Sequence, residues 1–197
     1  MALVLQTFKL TGAVPIILHN GRTANPLDQW SKAMKIISSK RNKTDADHEQ
    51  LAKLEWYASL YQDKQGRIIL PGMLIESALQ NGAKKHKLGT TAKAALFVDQ
   101  HALLEFDGME LSADELWERG ENTLTVACRV QTSKVMRTRF IAEEWAAVVT
   151  VTYEDALLNL AQVVDIVNAT GSQVGVGTWR PKHGRFFGEI EQMSKAA

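Results

Sequence analysis

The chain has a single cysteine, Cys128, so no disulfide forms within it and the fold must rest on its core alone. Four prolines and 13 glycines in 197 residues exclude collagen-like and low-complexity designs. No apolar run approaches the roughly 18–20 residues that span a bilayer, so no membrane helix is expected. Residues 1–10 carry one lysine and no small-residue cleavage pattern, so no signal peptide is expected either. A lone thiol set in the alternating pattern Leu124–Val126–Cys128–Val130 reads as buried, and a reducing, cytoplasmic setting is expected. A net charge of +1 argues against a crude polycation.

Histidine is scarce as well. His19, His48, His86, His101 and His183 are isolated from one another and offer no zinc spacing, and Cys128 has no adjacent base. No catalytic residue, metal or cofactor is therefore expected. The seven acids between Glu105 and Glu121 read as a solvated face.

What charge there is lies in segregated patches. Lys32, Lys35, Lys40, Arg41 and Lys43 occupy a window with no acid, and a local patch steers polyanions even when the total charge is small. Asn25-Pro26 signals a helix start, with Leu27, Trp30, Met34 and Ile37 at helical spacing. Thr44 caps a second helix whose stripe is Leu51, Leu54, Ala58 and Tyr61. The two form a hairpin with Ser38–Lys43 as its basic tip, which either meets a partner or is merely solvated.

Around this hairpin the pattern reads strand (Thr7–Leu18), short strand (Arg67–Leu70), helix (Pro71–Ala83) and strand segments at Ala94–Val98 and Ala102–Phe106. A short acidic helix (Ser112–Glu118) and strands at Leu124–Val130 and Trp145–Tyr153 follow. A helix through Leu160 and Val167 and a strand through Phe187 and Ile190 close the chain. Gln131–Arg139 carries Lys134, Arg137 and Arg139 and receives no assignment. Lys84-Lys85-His86-Lys87 ends the Pro71 helix, where cations suit the helix dipole for local reasons. The order contains β-α-β-β-α-β, so the expected class is α+β: a ferredoxin-like, RRM-like antiparallel sheet with helices on one face and an inserted helical hairpin. One domain, 1–197, with an insertion at about 25–60, is expected.

The most informative stretch is Gly175 to Phe187, G-V-G-T-W-R-P-K-H-G-R-F-F. Gly175, Gly177 and Gly184 leave room for close backbone approach, and such a loop is expected to turn amides toward an anion. Trp179, Arg180, Lys182, His183 and Arg185 complete it, with no acid from Thr178 to Gly188. It runs helix to loop to strand, the reverse of a dinucleotide fingerprint, and no G-K-[ST] follows.

Gly175-Val176-Gly177, six residues, then Gly184-Arg185-Phe186 resembles the glycine-rich loop of the RAMP superfamily, the repeat-associated RNA-binding proteins of CRISPR systems. Arg185 stands between the last glycine and the aromatic residue, a departure from the usual form. Ile69-Leu70-Pro71-Gly72-Met73-Leu74-Ile75-Glu76-Ser77-Ala78-Leu79 is similar to the I-P-G-S-S-L-x-G-A-L start of the first helix in the backbone subunits, with Met73 in place of Ser and Ser77 in place of Gly. The two signatures frame residues 66–193, and the chain is shorter than most backbone subunits, as in a stand-alone or phage-type relative.

The resemblance implies a protein that binds single-stranded RNA or DNA, forms a homo-oligomeric row along it and joins other effector-complex subunits. It implies phosphate contacts from Arg180, Lys182, Arg185, Lys134, Arg137 and Arg139, and base stacking on Trp179 or Phe186. A metal-independent ribonuclease acting through His183, or an assembly subunit binding acidic protein, are the alternatives.

Overall fold

The computed structural model describes residues 2–130 and 132–191. Four strands build the principal antiparallel sheet: β1 (Leu3–Gly12), β4 (Leu96–Phe97), β9 (Trp145–Glu154) and β10 (Phe186–Ile190), in the order β10-β1-β9-β4. Helix α3 (Gly72–Ala83) connects β1 to β4 and α6 (Leu160–Ala169) connects β9 to β10. Counted within this core alone, the strand order is 4-1-3-2, the ferredoxin-like arrangement. A short strand, β6 (Glu105–Phe106), also pairs with the start of β9.

Alternation along the strands explains the layering. Phe8 and Leu10 of β1, opposite Val149 and Ala147 of β9, are buried on one face. They pack with Ile75, Ala78 and Leu79 of α3 and Val163, Ile166 and Val167 of α6. The other face is open: Leu3, Leu5, Val148 and Phe187 are exposed, and Thr7 and Thr150 share a 3.2 Å hydroxyl contact between them.

A second sheet, β2-β8-β7, joins β2 (Ile16–Ile17), β8 (Ser133–Ala142) and β7 (Thr123–Val130). The expected strand Thr7–Leu18 is thus two strands, because the chain bends after Gly12 and carries Ile16 and Ile17 to β8. The unassigned basic stretch is most of β8, whose first eight residues pair antiparallel with β7. Helix α1 (Gln29–Ser38) begins at Asp28, not Asn25. The Asp28 carboxylate accepts from the Trp30 and Ser31 amides, while Asn25 accepts from the Leu27 amide in the preceding turn.

Helix α2 (Asp45–Ser59) starts in a reciprocal Thr44–Asp47 cap and packs along β8. Trp56, fully buried, donates to the Asn122 carbonyl at 2.8 Å and meets Trp117 and Phe140 edge-on or tilted. β3 (Ile69–Leu70) pairs with β5 (Ala102–Leu103), and α4 (Gly89–Ala95) and α5 (Ala113–Arg119) complete the elements. The stretch read as a strand from Ala94 is helical through Ala95, and only Leu96 and Phe97 extend. Cys128 is half-buried rather than enclosed, because β7 lies at the edge of its sheet.

Candidate nucleic-acid interface

The glycine-rich loop leaves α6 through a π-type turn at Thr170–Val174. Gly175, Gly177 and Gly184 all take positive φ, of 74°, 82° and 73°. Each also faces backbone at close range. A Cβ on Gly184 would stand 1.7 Å from the Val176 carbonyl oxygen, and one on Gly177 would stand 2.6 Å from that of Ile17. The glycines therefore let the loop fold onto itself and onto β2.

Five of the loop's amides follow the same logic, and for these the sequence expectation is corrected. Gly175 N–H donates to Thr170, Val176 to Gly184, Thr178 to Ile17, His183 to Trp179 and Gly184 to Pro15, all through backbone carbonyls at 2.7–3.2 Å. Donors already bonded inside the protein do not turn toward an anion. What the loop offers outward is its crown: Trp179, Arg180, Pro181 and Lys182 are exposed. Trp179 takes a φ of 55° and leans on the His183 ring, 6.3 Å between centroids. His183 is half-buried, its Nδ1 enclosed without a partner among the described residues. Arg180 donates to the Gly175 carbonyl at 3.4 Å, and Arg185 is exposed on the β10 side.

Phe186 is not a stacking residue. It is 3% exposed and meets Trp145 edge-on in the core. Its neighbour Phe187, two-thirds exposed, carries the aromatic surface instead, since successive strand residues point to opposite faces.

The crown lies beside the C-terminal end of α3. Arg180 and Pro181 form one wall of an open groove of about 580 Å³ whose other walls are Asn81, Lys84 and Lys85 of α3 and the turn after it, and Gln173 and Val174. On the far side of Lys84 a second hollow of about 270 Å³ is lined by Lys84, Lys87, Gly89, Thr90 and Lys93. No acid lines either hollow. Lys84 sits between them, its ammonium held by Asn81 Oδ1 at 2.8 Å. Lys87 adopts left-handed backbone, φ 61°, which turns the chain from the end of α3 into α4.

Gly82 sets the closeness of the two walls. A Cβ there would lie 2.0 Å from Thr170 Oγ1, so α3 and the turn after α6 touch at close range two residues before Lys84. Sequence reasoning does not place Lys84, Lys85, Lys87 or Lys93 in the site. The Lys84–Lys87 run is the signal for the first three, but the helix dipole accounts for it locally; Lys93 carries no such signal.

The remaining predicted cations gather elsewhere. Lys43, from the tip between α1 and α2, and Arg137 of β8 both line one cleft of about 760 Å³, with Leu51, Val135 and Met136 among its apolar walls. It shares no lining residue with the groove. Within this region Lys40 is paired with Asp47, Lys43 donates to the Lys40 carbonyl, and Arg137 is paired with Glu55. Arg41 and Lys134 are exposed, and Arg139 is half-buried.

Among the described residues no helix is long and apolar enough to cross a membrane. No protein-family model and no curated protein matches this sequence. Among solved structures, Cmr6 from Pyrococcus furiosus is similar in the course of its chain, with a TM-score of 0.42 and 9% identity over 96% of this chain and 100% of that one. A likeness at that level assigns neither site nor partner. The fold stands on its own strand order: the chain is an α+β protein with a ferredoxin-like core.

Proposed function

We propose that the protein binds single-stranded nucleic acid, RNA or DNA, along the basic groove between the end of α3 and the crown of the glycine-rich loop. The observation that carries this reading is the lining itself: Lys84, Lys85 and Arg180 in one hollow and Lys87 and Lys93 in the next, joined at Lys84 and free of acids. A phosphate backbone is the polyanion that such a row of flexible ammonium groups and a guanidinium suits. Lys182 extends the row on the exposed crown, and Trp179 supplies a partly exposed ring for a base. The resemblance of the Gly175–Phe186 and Ile69–Leu79 stretches to the RAMP superfamily supports the same reading and extends it to a row of copies along one strand.

Fluorescence anisotropy with labelled homopolymer oligonucleotides tests it. The parent binds several sequences with similar affinity, and Lys84→Ala/Arg180→Ala weakens all of them together, since phosphate contacts carry no base information. Binding by the double variant as tight as by the parent overturns the groove assignment. Cleavage of labelled RNA that disappears on His183→Ala replaces it with the ribonuclease reading.

A further inference from the structure

The insertion helices and β8 enclose a second polar site. His19 and Thr23, from the segment after β2, Met34 of α1, Glu55 and Ser59 of α2, and Arg137 and Arg139 of β8 line a cavity of about 370 Å³. That volume falls in the roughly 300–1,000 Å³ range of small-ligand sites. Its charges do not cancel. Glu55 is 6% exposed, and both its oxygens are occupied, Oε1 by Arg137 and Oε2 by the Thr138 amide at 2.9 Å. Arg139 is left with a single bond among the described residues, to the Thr138 carbonyl at 3.0 Å. A half-buried guanidinium with most of its donors idle is costly unless an anion completes it.

Ser59 Oγ is already committed, donating to the Trp56 carbonyl and accepting from the Phe140 amide, so it fixes the wall rather than the ligand. The walls come from four separate segments, the turn after β2, α1, α2 and β8, and the volume they enclose suits a small anionic group. We infer that this cavity is a phosphate-monoester site, in which Arg139 and Arg137 hold the phosphate oxygens and His19 closes the mouth. The ligand is either a free nucleotide or the terminal phosphate of a nucleic-acid strand. The field in the cavity agrees with this: His19 is held below the ordinary imidazole range by burial first, then by Arg139 and Arg137, against the opposing pull of Glu55.

The inference is independent of the groove, and its test separates the two. Inorganic phosphate, a nucleoside monophosphate, and oligonucleotides with a 5′-phosphate or a 5′-hydroxyl are titrated into the full chain, with binding read by calorimetry and anisotropy. Phosphate and the monophosphate bind the parent, and bind Lys84→Ala/Arg180→Ala equally well. Arg139→Gln loses at least tenfold. His19→Glu, at a side chain that makes no hydrogen bond among the described residues, loses as much by repulsion, so a folding defect in the Arg139 variant does not decide the matter. A 5′-phosphorylated oligonucleotide that binds the parent several-fold tighter than its 5′-hydroxyl twin, with the gap closed in both variants, identifies the strand end as ligand. Equal oligonucleotide affinities with monophosphate binding intact identify the free nucleotide. Absence of binding by both phosphate and the monophosphate, or binding unchanged in both variants, overturns the inference.

Discussion

Raising salt against the groove is the most quantitative test the structure allows. Five cations line its two hollows: Lys84, Lys85, Lys87, Lys93 and Arg180. If each neutralises one phosphate of a single strand, log affinity falls against log salt with a slope of about −3.5. Going from about 50 to about 200 mM monovalent salt then costs about 100-fold in affinity. Removing Lys84 and Arg180 leaves three contacts, a slope of about −2, and a loss of about 20-fold over the same range. The assay is anisotropy of a labelled oligonucleotide at four or five salt concentrations, parent against double variant. The difference in slope is the decisive quantity, because it counts released counterions and is indifferent to small changes in fold stability. A parent slope near zero, or a double variant whose slope matches the parent's, refutes the idea that these side chains sit on phosphates.

Three further outcomes are expected. Gly184→Ala places a methyl against the Val176 carbonyl at a φ of 73°, so it costs about 2 kcal/mol or more and lowers the melting temperature by at least about 4 °C in a thermal melt. Trp56→Phe removes the indole donor and leaves the Asn122 carbonyl unmatched in the core, costing about 1–3 kcal/mol by urea titration. Asp47 is pulled down to about 2, first by its hydrogen bond from Lys40 and then by the Thr44 amide, against some opposing burial. Because its folded value lies below the unfolded value of about 3.9, its contribution is present above about pH 4 and is lost as pH falls through about 2. Asp47→Asn removes that part of the acid sensitivity in melts run from neutral to low pH.

The parts of the fold legible in the sequence are those in which local pattern and burial agree. Thr44 caps α2, Pro71-Gly72 opens α3 where a Gly72 Cβ would strike the Val98 and Gln100 carbonyls, and the alternation of Trp145–Tyr153 is the central strand β9. Misreadings arose where long-range pairing outweighed local signals. Thr7–Leu18 looks like one opening strand, yet Ile16 and Ile17 belong to a different sheet because their partners are Ala142 and Ile141, more than a hundred residues away. The site was half legible. Glycine content marks the loop correctly, but composition does not say where amides point, and Ile17, Pro15 and Thr170 claim them. The lysines of the groove lie nearly a hundred residues before Arg180, and only the docking of α3 against the end of α6 brings them together.

The contact between Gly82 and Thr170 Oγ1 has a bearing on how the groove behaves under load. Thr170 is fully buried and tied back to the Ile166 carbonyl at 2.7 Å, so the crossing acts as a riveted joint between the helix that bears the lysines and the turn that leads to Arg180. Two jaws fastened this near their tips resist gaping, so a strand bound as proposed would meet a gauge already set. A methyl introduced at Gly82, which removes no charge, would spread the jaws and loosen the grip on every sequence alike.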